Sequence, residues 1–518
     1  MQRWTRGAPS AHVIATLAVA AVFAASARAE QSQPWTWCAN KEKASPDLQI
    51  GGCTTVIQSG KESQKNLSIA FNNRGNAYHA KGDDDRAVAD YNESIRLDPK
   101  YAYPYNGRGN AYRGKGDNDR AIADYTMSIK LDPKYAAPHN GRGNAYRDKG
   151  DRDRALADYN EAIKLDPRYA FAYNGRGNTY YDKQDYDRAL ADYTDSIRLD
   201  PAYSSPHNGR GNVYRAKGDL DTAIADYNEA IRLDAKSALP YNGRGNVYLD
   251  KREYDRAIAD YSDAIRLDPK YATAHNNRGL AYLRKRDYDH AVSDYSEAIR
   301  LDPKYAIAYD NRGDVHRAKR DYDRAIADYS DAIRIDPRFA IAYNDRGDIY
   351  RLKGDNDRAI ADYNEALRIN PSYAAAINNR STAYENKGQY DRALEGYDQL
   401  VVLQPKVADW WNYRCWDRAI LDQLQLALAD CNEALKLKPN DANTLDSRGF
   451  TYLKLGQIDN AIADFDAALK INPKQAGSLY GRGMAKLKKS DASGNADLAA
   501  AKEIRANIAE EYTRYGLK

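Results

Sequence analysis

Cysteine, histidine, methionine and phenylalanine are all scarce in these 518 residues, at four, seven, three and six. The cysteines, Cys38, Cys53, Cys415 and Cys431, show no C-x-x-C spacing, and no histidine lies near either pair in sequence. That argues against a metal or redox pair. An excess of one charge is also missing. Lys plus Arg number 78 against 74 for Asp plus Glu, a formal net charge of +4 that falls to +1 once Arg3, Arg6 and Arg28 are removed. Near-neutral, interspersed signs argue against a nucleic-acid or membrane-surface protein. There is no Ser–His–Asp set, no P-loop and no glycine-rich dinucleotide turn. Acidic runs such as Asp83-Asp84-Asp85 lack the spacing and terminal Glu of a calcium loop, and helix capping accounts for them. This inventory implies no enzyme, no cofactor and no bound metal.

What is present is repetition. Pro99, Pro133, Pro167, Pro201, Pro269, Pro303, Pro337, Pro371, Pro405, Pro439 and Pro473 lie on one 34-residue ruler, with Ala235 at the remaining mark. A period of that length predicts a solenoid, in which each unit buries its apolar stripe only against its neighbours. With the unit started at Ser68, it carries an aromatic or His at position 4, Arg at 7, Gly at 8, Tyr at 11, Ala at 20, an aromatic at 24 and Pro at 32. Two blocks of helical periodicity flank a Gly-Asp-x-Asp step such as Gly116-Asp117-Asn118-Asp119, where Gly stops one helix and Asp caps the next. Leu-Asp-Pro ends the second helix. Tyrosine outnumbers phenylalanine 43 to 6, which suits thin layers where a ring is buried and its hydroxyl reaches water.

This pattern resembles the tetratricopeptide repeat over about residues 30–518. The resemblance implies an all-α, right-handed superhelical solenoid of helix-turn-helix units. Twelve units are expected over 68–475, with 408–441 irregular and cysteine-bearing. Residues 30–67 form an N-terminal cap with an insertion around Ser59–Lys65, and 476–518 a C-terminal one. In that cap Leu498, Ala501, Ile504, Ile508, Tyr512 and Tyr515 fall on one face of a single final helix after a loop at Ser490–Asn495. One departure from the family is systematic. Position 7 is Arg in all twelve units instead of Leu, and position 23 is Asp in eleven, with Gly396 the exception. An Arg–Asp ladder between helix layers is expected, against Arg stems lying along the helix surface.

Residues 1–29 read as a signal peptide: Arg3 and Arg6, an apolar run from about Ala11 to Ala25, then Ala27-Arg28-Ala29. The run is short for a membrane span, so no integral membrane segment is expected after cleavage. The mature chain is then exported, to the periplasm or beyond the cell, where disulfides form. In the resembling fold Cys415 and Cys431, at positions 8 and 24 of their unit, face each other. Cys38 and Cys53 align with them, so the pairs Cys38–Cys53 and Cys415–Cys431 are expected.

The resemblance also implies that first helices line an inner face with positions 2, 5, 9, 12 and 13. Position 5 holds Asn72, Asn106, Asn140, Asn174, Asn208 and Asn242 in the first six units, and position 9 holds Asn76, Asn110, Asn144, Asn178, Asn212 and Asn246. Positions 5 and 9 stack on one helix face. Asn offers both donor and acceptor, so a double track suits a peptide backbone; the alternative is bonding between adjacent helices alone. The lining then turns acidic at Asp314 and Asp348 and aromatic at Trp416 and Phe450, with Arg113, Arg147, Arg215, Arg317 and Arg351 at position 12. His139, His207 and His275 replace the position-4 aromatic of alternate units and stand too far apart to share a metal. The expected function is a non-enzymatic scaffold of the bacterial cell envelope, holding an extended protein segment. A glycan-facing component of envelope or polysaccharide assembly is the alternative.

Overall fold

The computed structural model describes residues 33–40 and 43–517; the expected signal peptide lies outside them. The chain forms two compact units, residues 1–268 and 269–518, each a stack of antiparallel helix pairs. No helix among the described residues is long and apolar enough to cross a membrane.

In the first unit a cap of helical residues 33–38 and helix Pro46–Gln58 precedes five complete pairs, from Gln64–Ala80 with Asp84–Leu97 to Ser204–Ala216 with Leu220–Leu233. Ala238–Asp250 and Tyr254–Leu267 form the sixth. Helix Gln64–Ala80 starts inside the expected insertion, because Ser63 caps it through the Asn66 amide. Elsewhere the second helix of a pair is capped by Asp: Asp83, Asp117, Asp151, Asp185 and Asp219 each accept the backbone N–H three residues on. The residue before this cap is left-handed. Gly82, Gly116, Gly150 and Gly218 hold it at φ of 76–83°, but Gln184 and Arg252 adopt it at 61° without being glycine. At the far end Asp98 turns extended (φ −139°, ψ 90°) and its carboxylate accepts the Lys100 amide, closing the Asp-Pro turn.

The core is thin. Each layer is a buried tyrosine among alanines, such as Tyr91 with Ala87 and Ala111. The tyrosine is clamped by two glycines. A Cβ at Gly75, in its own unit, would sit 2.8 Å from the Tyr91 ring, and one at Gly107, position 6 of the next unit, 2.5 Å. The same clamp holds Tyr125 between Gly109 and Gly141, and Tyr193 between Gly177 and Gly209. Backbone against ring therefore sets the spacing of successive layers in this unit.

The second unit runs from Ala272–Arg284 to the C-terminus. Position 6 is there Asn311, Asp345 and Asn379, so Tyr295, Tyr329 and Tyr363 each meet only one glycine. Where Gly396 stands in place of the usual Asp, Ser381 has replaced the position-8 glycine, and a Cβ at residue 396 would lie 2.1 Å from the Ser381 hydroxyl. Two exceptions to the repeat are thus one steric event. Cys415 and Cys431 take the places of a glycine and its tyrosine and are disulfide-bonded, with Cα atoms 5.4 Å apart. Cys38 and Cys53 are bonded likewise in the first unit, at 4.5 Å.

The single final helix expected from the sequence is two: Gly494–Ile504 and Ile508–Arg514. Arg505 is extended (φ −141°, ψ 99°), the conformation of the Asp in every Asp-Pro turn, so the short helix is a truncated first helix of a further pair. Ile504 is consequently exposed, while Ala501, Ile508 and Tyr512 are buried.

Candidate ligand-binding faces

The Arg–Asp ladder is present in both units. Arg108 forks onto Asp124 at 2.7 Å from both Nε and Nη2, while its Nη1 donates to Asn92 of the preceding pair at 2.6 Å. Arg176 with Asp192 and Asn160, and Arg346 with Asp362 and Ser330, repeat that three-way link. Each fork ties the two helices of a pair, and the third bond ties pair to pair. The carboxylates are buried and the guanidinium is about one-fifth exposed, as in Arg210 (22%) with Asp226 (7%). Arg380, whose partner position is Gly396, keeps only the bond to Asn364.

The alternating histidines join this ladder. His139, His207 and His275 set Nδ1 3.5, 3.4 and 3.5 Å from Asp158, Asp226 and Asp294. Burial pushes these carboxyls up, but the hydrogen bonds from the Arg and the nearby His outweigh it and hold them below the usual range. Asp192, with Tyr173 in place of a histidine, is shifted the other way, chiefly by burial. Among the described residues no group of three His, Cys, Asp or Glu side chains is arranged to hold a metal.

The two asparagine tracks of the first unit have different surroundings. Position 9 meets the clamped tyrosine: Tyr91, Tyr125, Tyr159, Tyr193, Tyr227 and Tyr261 donate to Oδ1 of Asn76, Asn110, Asn144, Asn178, Asn212 and Asn246 at 2.7–2.8 Å. Each amide is thereby oriented, with its oxygen engaged by the tyrosine. Position 5 lies deeper. Asn72, Asn140, Asn174 and Asn242 are at most 9% exposed. Asn106 and Asn174 donate to Tyr135 and Tyr203 of the next layer. The Oδ1 atoms of Asn72, Asn106, Asn140, Asn174 and Asn208 are buried with no partner in the protein. In the second unit position 6 supplies that partner twice, Asn311 to Asn276 at 2.9 Å and Asn379 to Asn344 at 3.1 Å, while Asn378 and Asn412 keep a buried, unpartnered Oδ1. In the first unit position 6 is the glycine that clamps the tyrosine, so no side chain reaches the oxygen. The layer-spanning role of these asparagines was one of the two possibilities in the sequence. The position-6 glycine behind it carries no signal within a single unit, and only the stacking of consecutive pairs exposes its function.

The first unit carries a cavity of about 400 Å³ on this face, lined by Asn174, Asn178, Asn208, Asn212, Arg147, Asp182 and Leu239 among others. On either side position 12 is locked to the following pair: Arg113 to Asp148 at 3.2 Å and Arg215 to Asp250 at 2.6 Å. The equivalent residues between them, Arg147 and Asp182, both line the cavity and form no ion pair among the described residues.

In the second unit the face is acidic. Tyr329 donates to Asp314 at 2.9 Å and Tyr363 to Asp348 at 3.4 Å, so these two stand in for asparagine as acceptors. Arg317 meets Asp314 at 2.8 Å and lies 3.7 and 3.9 Å from Asp345 and Asp348. Asp310 is 6% exposed, its Oδ1 is unpartnered, and it forms no ion pair among the described residues. Burial first, then the carboxylates of Asp345 and Asp314, push it up to about 8. At position 9 Leu280 offers no acceptor, and the Tyr295 hydroxyl is buried without a partner. Trp416 and Phe450 do not form one exposed aromatic lining. Phe450 is fully buried, packed on Trp416 at 4.9 Å and edge-on to Tyr512 at 5.6 Å beneath the C-terminal helix. It is a core residue, because the truncated final pair covers it. Trp416 remains half-buried at the rim of a second cavity.

Comparison with known proteins agrees with this architecture. The TPR repeat model matches residues 75–116, 109–146, 143–184, 177–214, 211–252 and 245–286. Tetratricopeptide repeat models match 272–305, 311–374, 362–395 and 442–475, so that the matches together span well over half of the chain. No curated protein matches the chain. Among solved structures it is similar to the crystal structure of the APC/C hetero-tetramer Cut9-Hcn1, at 15% identity over 86% of this chain and 94% of that one, with a TM-score of 0.45. It is also similar to a tetratricopeptide repeat protein from Parabacteroides merdae ATCC 43184, at 19% identity over 48% and 98%, with a TM-score of 0.39. With its 34-residue helix pairs, thin layers and matched repeats, the chain belongs to the tetratricopeptide repeat family, a non-catalytic scaffold for protein and peptide binding.

Proposed function

We propose that the first unit holds an extended protein segment against its asparagine face, with the cavity at Asn178 and Asn212 as the centre of the contact. The observation that carries this is the tyrosine–asparagine hydrogen bond. The amides of Asn178 and Asn212 have their oxygens engaged from below, which presents N–H donors of fixed orientation at the cavity. Peptide carbonyls recur along an extended chain and accept from such donors whatever the side chains are. Leu239, 56% exposed beside the cavity, adds an apolar contact, and Arg147 and Asp182 add one charge of each sign. The cell envelope is the proposed setting, from the leader-like residues 1–29 and the two disulfides.

Asn→Asp substitution at positions 178 and 212 separates binding from folding. Aspartate still accepts from the tyrosine, as Asp314 does from Tyr329, but has no N–H to offer. On an array of extended peptides, Asn178→Asp/Asn212→Asp is expected to lose most of the binding of the parent while melting within a few degrees of it. Unchanged peptide binding by the double variant contradicts the proposal. Displacement by oligosaccharides and not by peptides would move the glycan alternative to the front.

A further inference from the structure

The second cavity, wholly within the second unit, encloses about 390 Å³ among the last four helix pairs and the C-terminal helix. That volume lies at the small end of the range for ligand sites. Its walls are aromatic: Tyr413, Trp416, Tyr512 and Tyr515 line it. They are held by one another, with Trp416 edge-on to Tyr515 at 5.4 Å and Tyr512 donating to the Gly477 carbonyl at 2.8 Å. Three of its polar groups are carboxylates: Glu385, Asp446 and Glu511. Asp446 receives one hydrogen bond, from the Ser478 hydroxyl at 2.6 Å, and Gly477 leaves its second oxygen uncovered, since a Cβ there would lie 2.7 Å from Oδ2. Glu385 receives one, from Tyr397 at 2.8 Å. Asn412, 7% exposed, lines the cavity with its Oδ1 buried and unpartnered, and Gln475 Oε1 is in the same condition.

Cations are in deficit. Arg505 is the one basic side chain in the lining, and it is turned to Glu511 at 2.9 Å and about half exposed. Close to Glu385 is Asp417, completely buried, whose carboxyl is pushed up by burial and by the Glu385 charge. Burial pushes Asp446 up to about 6 against the pull of the Ser478 hydroxyl and the Arg505 charge, and also raises Glu385. Electron-rich rings and under-satisfied carboxylates around one small space are complementary to a positive group with several N–H donors.

We propose that this cavity binds an organic cation, a primary ammonium on a flexible chain, with Asp446 and Glu385 as counter-ions and Tyr413 and Trp416 as the aromatic wall. The ammonium can belong to a lysine side chain of a bound protein or to a free polyamine. The site is separate from the asparagine face and does not depend on it.

The test is calorimetric titration of the full chain with three probes: spermidine, an Nα-acetyl-lysine amide tripeptide, and the same tripeptide with its side-chain amine acetylated. Saturable binding of either cationic probe, with at least about tenfold weaker binding of the acetylated one, is the expected result. The cationic probe that binds more tightly identifies the source. Asp446→Asn is expected to weaken the cation at least about tenfold while the far-ultraviolet circular dichroism and melting midpoint are kept. Equal binding of the acetylated tripeptide overturns the proposal, as does no saturable binding of either cation. An Asp446→Asn variant that stays folded with unchanged affinity overturns it too.

Discussion

Arg210 holds Asp226 with two hydrogen bonds, at 2.9 and 2.8 Å, and the carboxylate it holds is buried. Removing the guanidinium strands that charge, and the nearby His207 supplies one imidazole in return. Arg210→Leu is therefore expected to cost about 2–4 kcal/mol, discounted from the fully buried case because the arginine is partly exposed. A thermal midpoint unchanged within a degree would contradict the ladder's structural role. The opposite sign is expected at Asp310. Its carboxyl stands near 8 in the folded chain and near 4 in an unfolded one, so the folded state binds the proton more tightly. Stability is then fully present below about pH 4 and declines as pH rises through about 8. Asp310→Asn restores the residue found at position 5 in ten of the twelve units. The variant should be more stable than the parent at pH 8 by at least about 1 kcal/mol, with the difference vanishing near pH 4. Equal midpoints at both pH values would refute this. At the same scale, the Arg–Asp pairing was legible because both residues recur on the 34-residue ruler with a fixed separation. The tyrosine–glycine clamp was not. Its two glycines belong to different units, and only stacking brings them to one ring.

Among the elements, the turn inside each pair shows where the sequence departs from its own rule. Seven glycines between Gly82 and Gly456 take the left-handed position, but Gln184, Arg252, Arg286, Arg320 and Asp422 occupy it at φ of 59–63°. A residue with a Cβ pays a steric penalty there that glycine does not. Arg320→Gly is expected to raise stability by about 0.5–1 kcal/mol, less than the full penalty because glycine also frees the unfolded chain. A fall in the urea midpoint would count against it. The helix boundaries were legible for the same reason the turns are: Asp caps and Asp-Pro stops carry their chemistry in the sequence. The break at Arg505 has no proline to announce it, so periodicity alone ran Leu498 through Tyr515 into one helix and placed exposed Ile504 on its buried face. Phe450 leaves the expected inner face for a related reason: the helix that covers it lies 58 residues or more further along the chain.

At the scale of the molecule, stability in stacked repeats is local, shared between nearest neighbours. The two disulfides replace the tyrosine–glycine contact where it is missing, each closing a loop of 15 or 16 residues and contributing about 3 kcal/mol. Reduction should therefore speed amide exchange in Pro46–Gln58 and in the pair Ala408–Ile420 with Leu424–Leu437, and leave the clamped pairs around Tyr125 and Tyr159 unchanged. Uniform acceleration across the first unit would contradict that. The faces divide in the same way, with an asparagine row in one unit and acidic and aromatic sites in the other. The most direct test of the account is photo-crosslinking in intact cells from Ser205, which is exposed and lines the first cavity, with Asp195 on a second helix as the control position. A protein adduct with an extended segment, formed from Ser205 and absent from Asp195, is the predicted result. No adduct from Ser205, or the same adducts from both positions, would contradict binding at the asparagine face.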